Sequence, residues 1–118
     1  TAVYTFEQVK KIIKCLNKNS KSIISIFAGR MADKGKDPMP IFKKSITKTK
    51  KYNNIEILWA STREVLNIFQ ANSINCQIIT VPNDLLKKLN NLNKDLKSFS
   101  KETVMDFYKD AKSAGYKI

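Results

Sequence analysis

Histidine is absent from this chain, and its absence excludes several chemistries together. Ser–His and Cys–His nucleophile pairs, histidine metal sites and an imidazole acid/base near neutral pH all need the missing ring. What remains for chemistry is lysine, hydroxyls, carboxylates, arginine and water. Cysteine is scarce: Cys15 and Cys76 have no motif spacing, which argues against a disulfide framework or a metal knuckle. With three glycines in all, no Gly-rich phosphate loop follows any apolar run. Those runs are far too short to span a bilayer, and no charged-then-apolar leader opens the chain. The expectation is a soluble, cytoplasmic protein with no membrane contact. Arginine is scarce too, with Arg30 and Arg63 standing among 22 basic residues.

The 118 residues suffice for one domain at most, and 42% hydrophobic residues argue against disorder. A net charge of +12 invites a nucleic-acid reading. The lysines, however, are spread over helix faces and loops. The densest groups, Lys48–Lys51 and Lys87–Lys88, carry no interleaved aromatic platform of the kind that single strands need. Asn, Ile and Lys also share AT-rich codons, so genome bias yields this charge without selection for polyanion binding. No nucleic-acid partner is expected.

The two arginines close two similar stretches. Ile23–Arg30 (IISIFAGR) is a short, β-branched apolar run that reads as a buried strand and ends in Gly29 and a cation. Ile55–Arg63 (IEILWASTR) repeats the design about thirty residues later. The planar guanidinium fork binds phosphate bidentately, so two strand-exit arginines suggest an anionic ligand. The alternative is that each caps a loop or pairs with a carboxylate.

Taken in order, Thr1–Tyr4 reads as the end of a strand whose beginning is missing. Thr5 and Gln8 form a capping box that opens an amphipathic helix over Phe6–Asn17, carried by Phe6, Val9, Ile12, Ile13 and Leu16. The strand Ile23–Phe27 follows. A loop, Met31–Pro40, then holds Pro38 and Pro40 and forms a candidate functional rim in which Asp33 and Asp37 read as solvated. Asp37 before Pro38 starts a lysine-rich helix to about Lys51, with Ile41, Phe42, Ile46 and Ser45 inward. After the strand Ile55–Ala60, Ser61 and Glu64 read as a second capping box before a helix through Val65, Leu66, Ile68 and Phe69. Gln77–Val81 reads as a fourth strand. Pro82 and an Asn83 cap lead into a short helix, Asp84–Leu89. The last helix is expected from near Ser100, with Val104, Phe107, Tyr108 and Ala111 on one face and Gly115 at its C′ position. Alternating strands and helices predict parallel strands joined by right-handed crossovers. Four such units suit half of a (β/α)8 barrel; an open doubly wound sheet is the alternative.

TAVYTFEQV, SIFAGRMAD, ILWASTREVLNIFQA and CQIITVPNDLLKKL resemble, in order, the fifth to eighth strands and following turns of the transaldolase family. FSKETVMDFYKDAKSAG resembles that family's C-terminal helix. The resemblance implies an α/β fold of the (β/α)8 TIM-barrel family. Residues 1–118 would form its C-terminal half, about four βα units and a closing helix. It implies a cofactor-free transferase that moves a dihydroxyacetone unit between sugar phosphates in the non-oxidative pentose phosphate pathway, through a lysine Schiff base. By the same resemblance Thr1 helps to hold the catalytic water, Ser25 and Phe27 line the pocket, and Arg30, Ser61 and Arg63 bind substrate phosphate. Some relatives place a water-holding tyrosine where this chain has Phe27, which points to transferase rather than free aldolase behaviour.

The residues also have plainer readings. Phe27 and Trp59 read as core or pocket wall, Ser61 as a helix N-cap as well as a ligand, and Thr1 as a frayed end. One departure from the family is large: its Schiff-base lysine lies on the fourth strand and its acid/base carboxylates on the first and third, all upstream of Thr1. No lysine lies inside a predicted strand here. The chain is therefore expected to be inactive alone. Its half barrel would leave two strand edges and an apolar sheet face open to a second copy or to the missing half. A fructose 6-phosphate aldolase-like lyase and a non-catalytic half-barrel that binds sugar phosphates are the alternatives.

Overall fold

A computed structural model describes residues 1–117 of the chain, which divide into two compact units, Thr1–Lys87 and the residues from Lys88 onward. The first unit is α/β. Its elements are α1 (Phe6–Cys15), β1 (Ser22–Phe27), α2 (Ala28–Ala32), α3 (Met39–Thr49), β2 (Ile55–Ala60), α4 (Val65–Ser73), β3 (Ile78–Ile79) and α5 (Asn83–Lys88). The strands form one parallel sheet in chain order, with Ile24 opposite Ile57, Ile26 opposite Trp59, and Trp59 opposite Ile79.

Both long strands follow the expected pattern, and alternation decides which face is filled. On one face Ile24, Ile26, Ile55, Ile57 and Trp59 are buried against Phe42 and Ile46 of α3, with Val9 and Ile13 of α1 in the same core. Phe42 stacks on Trp59, the ring centroids 4.3 Å apart. Ser45 and Thr49 are buried on the same face of α3, and Thr49 donates to the Ser45 carbonyl at 3.0 Å. The opposite face carries Ile23, Ser25, Phe27, Glu56, Leu58 and Ile78. Here Ile23 remains 54% exposed, in β1 at the edge of the three-stranded ladder.

The remaining expectations divide. The Thr5–Gln8 capping box is present, but α1 stops at Cys15 because Leu16 turns extended. Thr1–Tyr4 contributes one parallel bridge, Val3 to Ile26, rather than a strand, although the Val3 amide and carbonyl both bond β1. The expected Met31–Pro40 loop is partly helical: the chain coils directly from Phe27 into α2, and Arg30 lies within that helix. Asp37 accepts from the Met39 amide at 2.9 Å and opens α3, which ends at Thr49.

The Ser61–Glu64 capping box is not formed. Ser61 adopts φ 61°, and Glu64 is itself the N-cap, exchanging hydrogen bonds with Asn67. The expected strand Gln77–Val81 shortens to two ladder residues because side chains take over β2's backbone groups. Gln77 Oε1 accepts from the Ile57 amide at 3.0 Å, and the Cys76 thiol donates to the Ile57 carbonyl at 3.4 Å. Asn83 begins α5 rather than capping it, and a 3-10 turn, Leu89–Asn91, continues the chain.

The second unit is dominated by α6 (Leu96–Ser113), which starts four residues before Ser100 because Asp95 caps it, accepting from the Lys97 and Ser98 amides. Lys94 pairs with Glu102 along it. Gly115, at φ 82°, ends the helix as expected: the Gly115 amide bonds Lys112 and the Tyr116 amide bonds Ala111. No residue of α6 is buried; Val104, Phe107 and Tyr108 are exposed and Ala111 is half-buried.

Candidate functional site

The candidate residues gather where β1 and β2 end. β1 passes into α2 at Ala28, and β2 ends at Ala60 and turns at Ser61. The two exits touch at Gly29. A methyl group there would sit 1.8 Å from the Ser61 carbonyl oxygen and 2.8 Å from both Ser61 Oγ and Arg63 Cγ. Glycine is required for this close approach and not for its dihedrals. On the other side of the contact stands Ser61, a non-glycine residue in the left-handed region, where backbone strain of about 1–3 kcal/mol is typical of ligand sites.

Arg63 is held at three points. Its amide donates to Asn67 Oδ1 at 3.0 Å, its stem lies against Gly29, and its Nη2 donates to Asp33 Oδ2 at 2.9 Å. Both partners of that ion pair are half-exposed, so it contributes little stability. A single Nη2 bond leaves the other guanidinium donors for a ligand. The carboxylate-pairing alternative is thus realised for Arg63, and Asp33, read as solvated, is engaged. Thr62, between these residues, is buried and donates to the Thr80 carbonyl at 2.6 Å, which ties the β2 exit to the chain after β3.

Arg30 is exposed, with its guanidinium 5.5 Å from the centre of the Phe27 ring. Phe27 meets Tyr4 edge-on, the ring centroids 6.0 Å apart. Tyr4, Arg30, Met31, Lys34, Lys36, Asp37 and Ile41 line an open cleft of about 620 Å3. Three cations against one carboxylate give that cleft a positive potential suited to an anion. A second, smaller cavity of about 150 Å3 lies against Gly29, Trp59, Arg63, Asn67 and Gln70.

The structure brings Ser61, Arg63, Gly29 and Arg30 to one end of the sheet. Ser25 lies one alternation behind Phe27 on the uncovered face, its carbonyl accepting from Val3 at 3.2 Å. Thr1 is exposed and lies outside the Val3 bridge. Trp59 is core. Lys34, Lys36 and Tyr4 escaped single-residue reading, although the rim loop that supplies both lysines was visible. Among the described residues, no group of His, Cys, Asp and Glu could hold a metal ion, and no helix is long and apolar enough to cross a membrane.

The sequence profile of the Transaldolase/Fructose-6-phosphate aldolase family matches residues 1–118. The chain belongs to that family. A search among curated proteins returned no match. Membership places the chain in an enzyme family of the transaldolase and aldolase kind, with sugar phosphates as the class of substrate. The parallel α/β sheet agrees with part of such a barrel.

Proposed function

We propose that this chain is the phosphate-binding C-terminal half of a transaldolase-type (β/α)8 barrel. Val3, β1, β2 and β3 would be its fifth to eighth strands, each opening a βα unit. The barrel transfers a dihydroxyacetone unit between sugar phosphates of the cytoplasmic, non-oxidative pentose phosphate pathway. Its Schiff-base lysine is supplied upstream of Thr1. The observation that carries this reading is the meeting of Ser61 and Arg63 with Gly29–Arg30 at the C-terminal ends of two adjacent parallel strands. That is the end at which barrel active sites form. Arg30, Ser61 and Arg63 bind the substrate phosphate, whose remote binding energy orients the reacting carbons. Ser25 and Phe27 line the sugar site, and Thr1 holds water. Phe27 brings no hydroxyl to that water, which favours transfer to an acceptor over release of free dihydroxyacetone.

No cofactor takes part in this chemistry. The uncovered sheet face packs against the missing half of the barrel or a second copy. A second reading, a binding-only half-barrel, is favoured by one observation: none of β1, β2 and β3 contains a lysine. Borohydride reduction with fructose 6-phosphate separates the two. A lysine-linked adduct in the native polypeptide supports the transferase, and phosphate binding without an adduct supports the binding module. Arg63→Ala should weaken sugar phosphate binding by about 1.5–3 kcal/mol, the scale of a charged hydrogen bond. Unchanged affinity in a calorimetric titration would remove Arg63 from the site.

A further inference from the structure

Arg63 is gripped along its length by one short helix. Gly29 of α2 and Asp33, the C-cap of that helix, stand one turn apart, joined by the Asp33 amide bonding the Gly29 carbonyl at 2.9 Å. Gly29 receives the Arg63 stem and Asp33 receives its guanidinium. An arginine side chain carries substantial rotamer entropy, and a long cation that must bind phosphate from a free start loses affinity to that ordering. Here the ordering is done before the ligand arrives.

We propose that α2 is the positioning element for Arg63. Gly29 admits the stem and Asp33 aims the guanidinium, so that the donors left free face the phosphate. Asp33 and Gly29 are positioning residues and touch no ligand. The proposal rests on the sugar phosphate reading above, but it makes a claim of its own about the free protein.

A carboxylate beside a phosphate site could instead act as a rival anion, and the two roles predict opposite signs. As a rival, Asp33 weakens phosphate binding, and removing it by either substitution tightens the complex. As an aiming group it helps, and only loss of the acceptor hurts. The substitution Asp33→Asn keeps an oxygen for Nη2 and sheds the charge that repels phosphate.

The test is titration of the native polypeptide with fructose 6-phosphate, with the Arg63 Nη2–H signals followed by NMR before ligand is added. Asp33→Ala should bind about fivefold more weakly and Asp33→Asn at least as tightly as the parent. Gly29→Ala should lose at least as much as Asp33→Ala, since its methyl group forces Ser61 and Arg63 away. Adding Asp33→Ala to Arg63→Ala should cost nothing further, because Asp33 acts through Arg63. In the free protein the Arg63 Nη2–H protons should be slow to exchange in the parent and fast in Asp33→Ala.

Equal or tighter binding by Asp33→Ala overturns the proposal, as do Arg63 Nη2–H signals that Asp33→Ala leaves unchanged. Undiminished binding by Arg63→Ala overturns the function reading instead, because it removes Arg63 from the ligand whatever holds it. Should Gly29→Ala fail to fold, the Asp33 pair and the Nη2–H signals decide alone.

Discussion

The sheet of the first unit has two faces built from the same strands by the same alternation, and they have opposite fates. One is closed: Trp59, Phe42, Ile24, Ile26 and Ile57 are all buried to 2% exposure or less. The other leaves Ile23 half exposed and sets Ser25, Phe27 and Glu56 among apolar neighbours. Alternation cannot cause the difference. It comes from where the crossover helices lie, since α3 packs on β2 and α1 packs on α3. The closed face supplies stability. The open face carries Ser25 and Phe27, the two strand residues proposed to line the sugar site, which is the division that parallel barrels make between their helix-facing and inward-facing side chains.

The comparison breaks most visibly by deleting one large side chain from each face. Phe42→Ala should cost about 3–5 kcal/mol of unfolding free energy, because it empties the stack on Trp59. Leu58→Ala, half-buried on the open face, should cost about 1 kcal/mol. Urea denaturation of both variants checks the ratio, and equal losses would mean that the open face is as well packed as the closed one. Gln77→Ala comes next. It leaves the Ile57 amide of the central strand without its acceptor, for about 1–3 kcal/mol by the same measurement.

Much of this was legible because it is local. The Thr5–Gln8 box, the two apolar runs and the Gly115 stop are each decided within a few residues. What failed was decided by distant chain. Ser61 followed by Glu64 has the spacing of a capping box, yet the approach to Gly29, 32 positions away, accompanies a left-handed Ser61 and moves the cap to Glu64. The Asp33–Arg63 pair spans 30 positions and carries no sequence signal. Gln77 has the look of a strand residue, and only the fold shows that its side chain replaces a ladder bond. The start of α6 was a different kind of miss, since Asp95 is an ordinary capping residue whose signal was on view.

A chemical probe sharpens the same contrast. Cys15 is exposed, whereas Cys76 is half-buried and shares its proton with the Ile57 and Ile78 carbonyls. Burial pushes the Cys76 thiol above its ordinary pKa and leaves less thiolate at neutral pH, with hydrogen bonds to Ile78, Trp59 and Gln77 opposing it. Iodoacetamide followed by peptide mass mapping should label Cys15 first, and preferential labelling of Cys76 would contradict the packing around β2.

The smallest effect belongs to α6, which buries no residue and leans on its cap. Bonds from Ser98 and Lys97 hold the Asp95 carboxyl below the usual carboxylate range. A depressed folded-state pKa contributes stability above the unfolded value and loses it as pH falls through the folded value. Helical circular dichroism should therefore dip slightly on acidification below that range, and Asp95→Asn should flatten the dip.

Trp59 is the sole indole of the chain, fully buried and stacked on Phe42. Its fluorescence is consequently a single-site reporter. Emission should be blue in the folded chain and should shift red only when α3 lifts from β2. The optical signal of this protein is wired to the closed face alone.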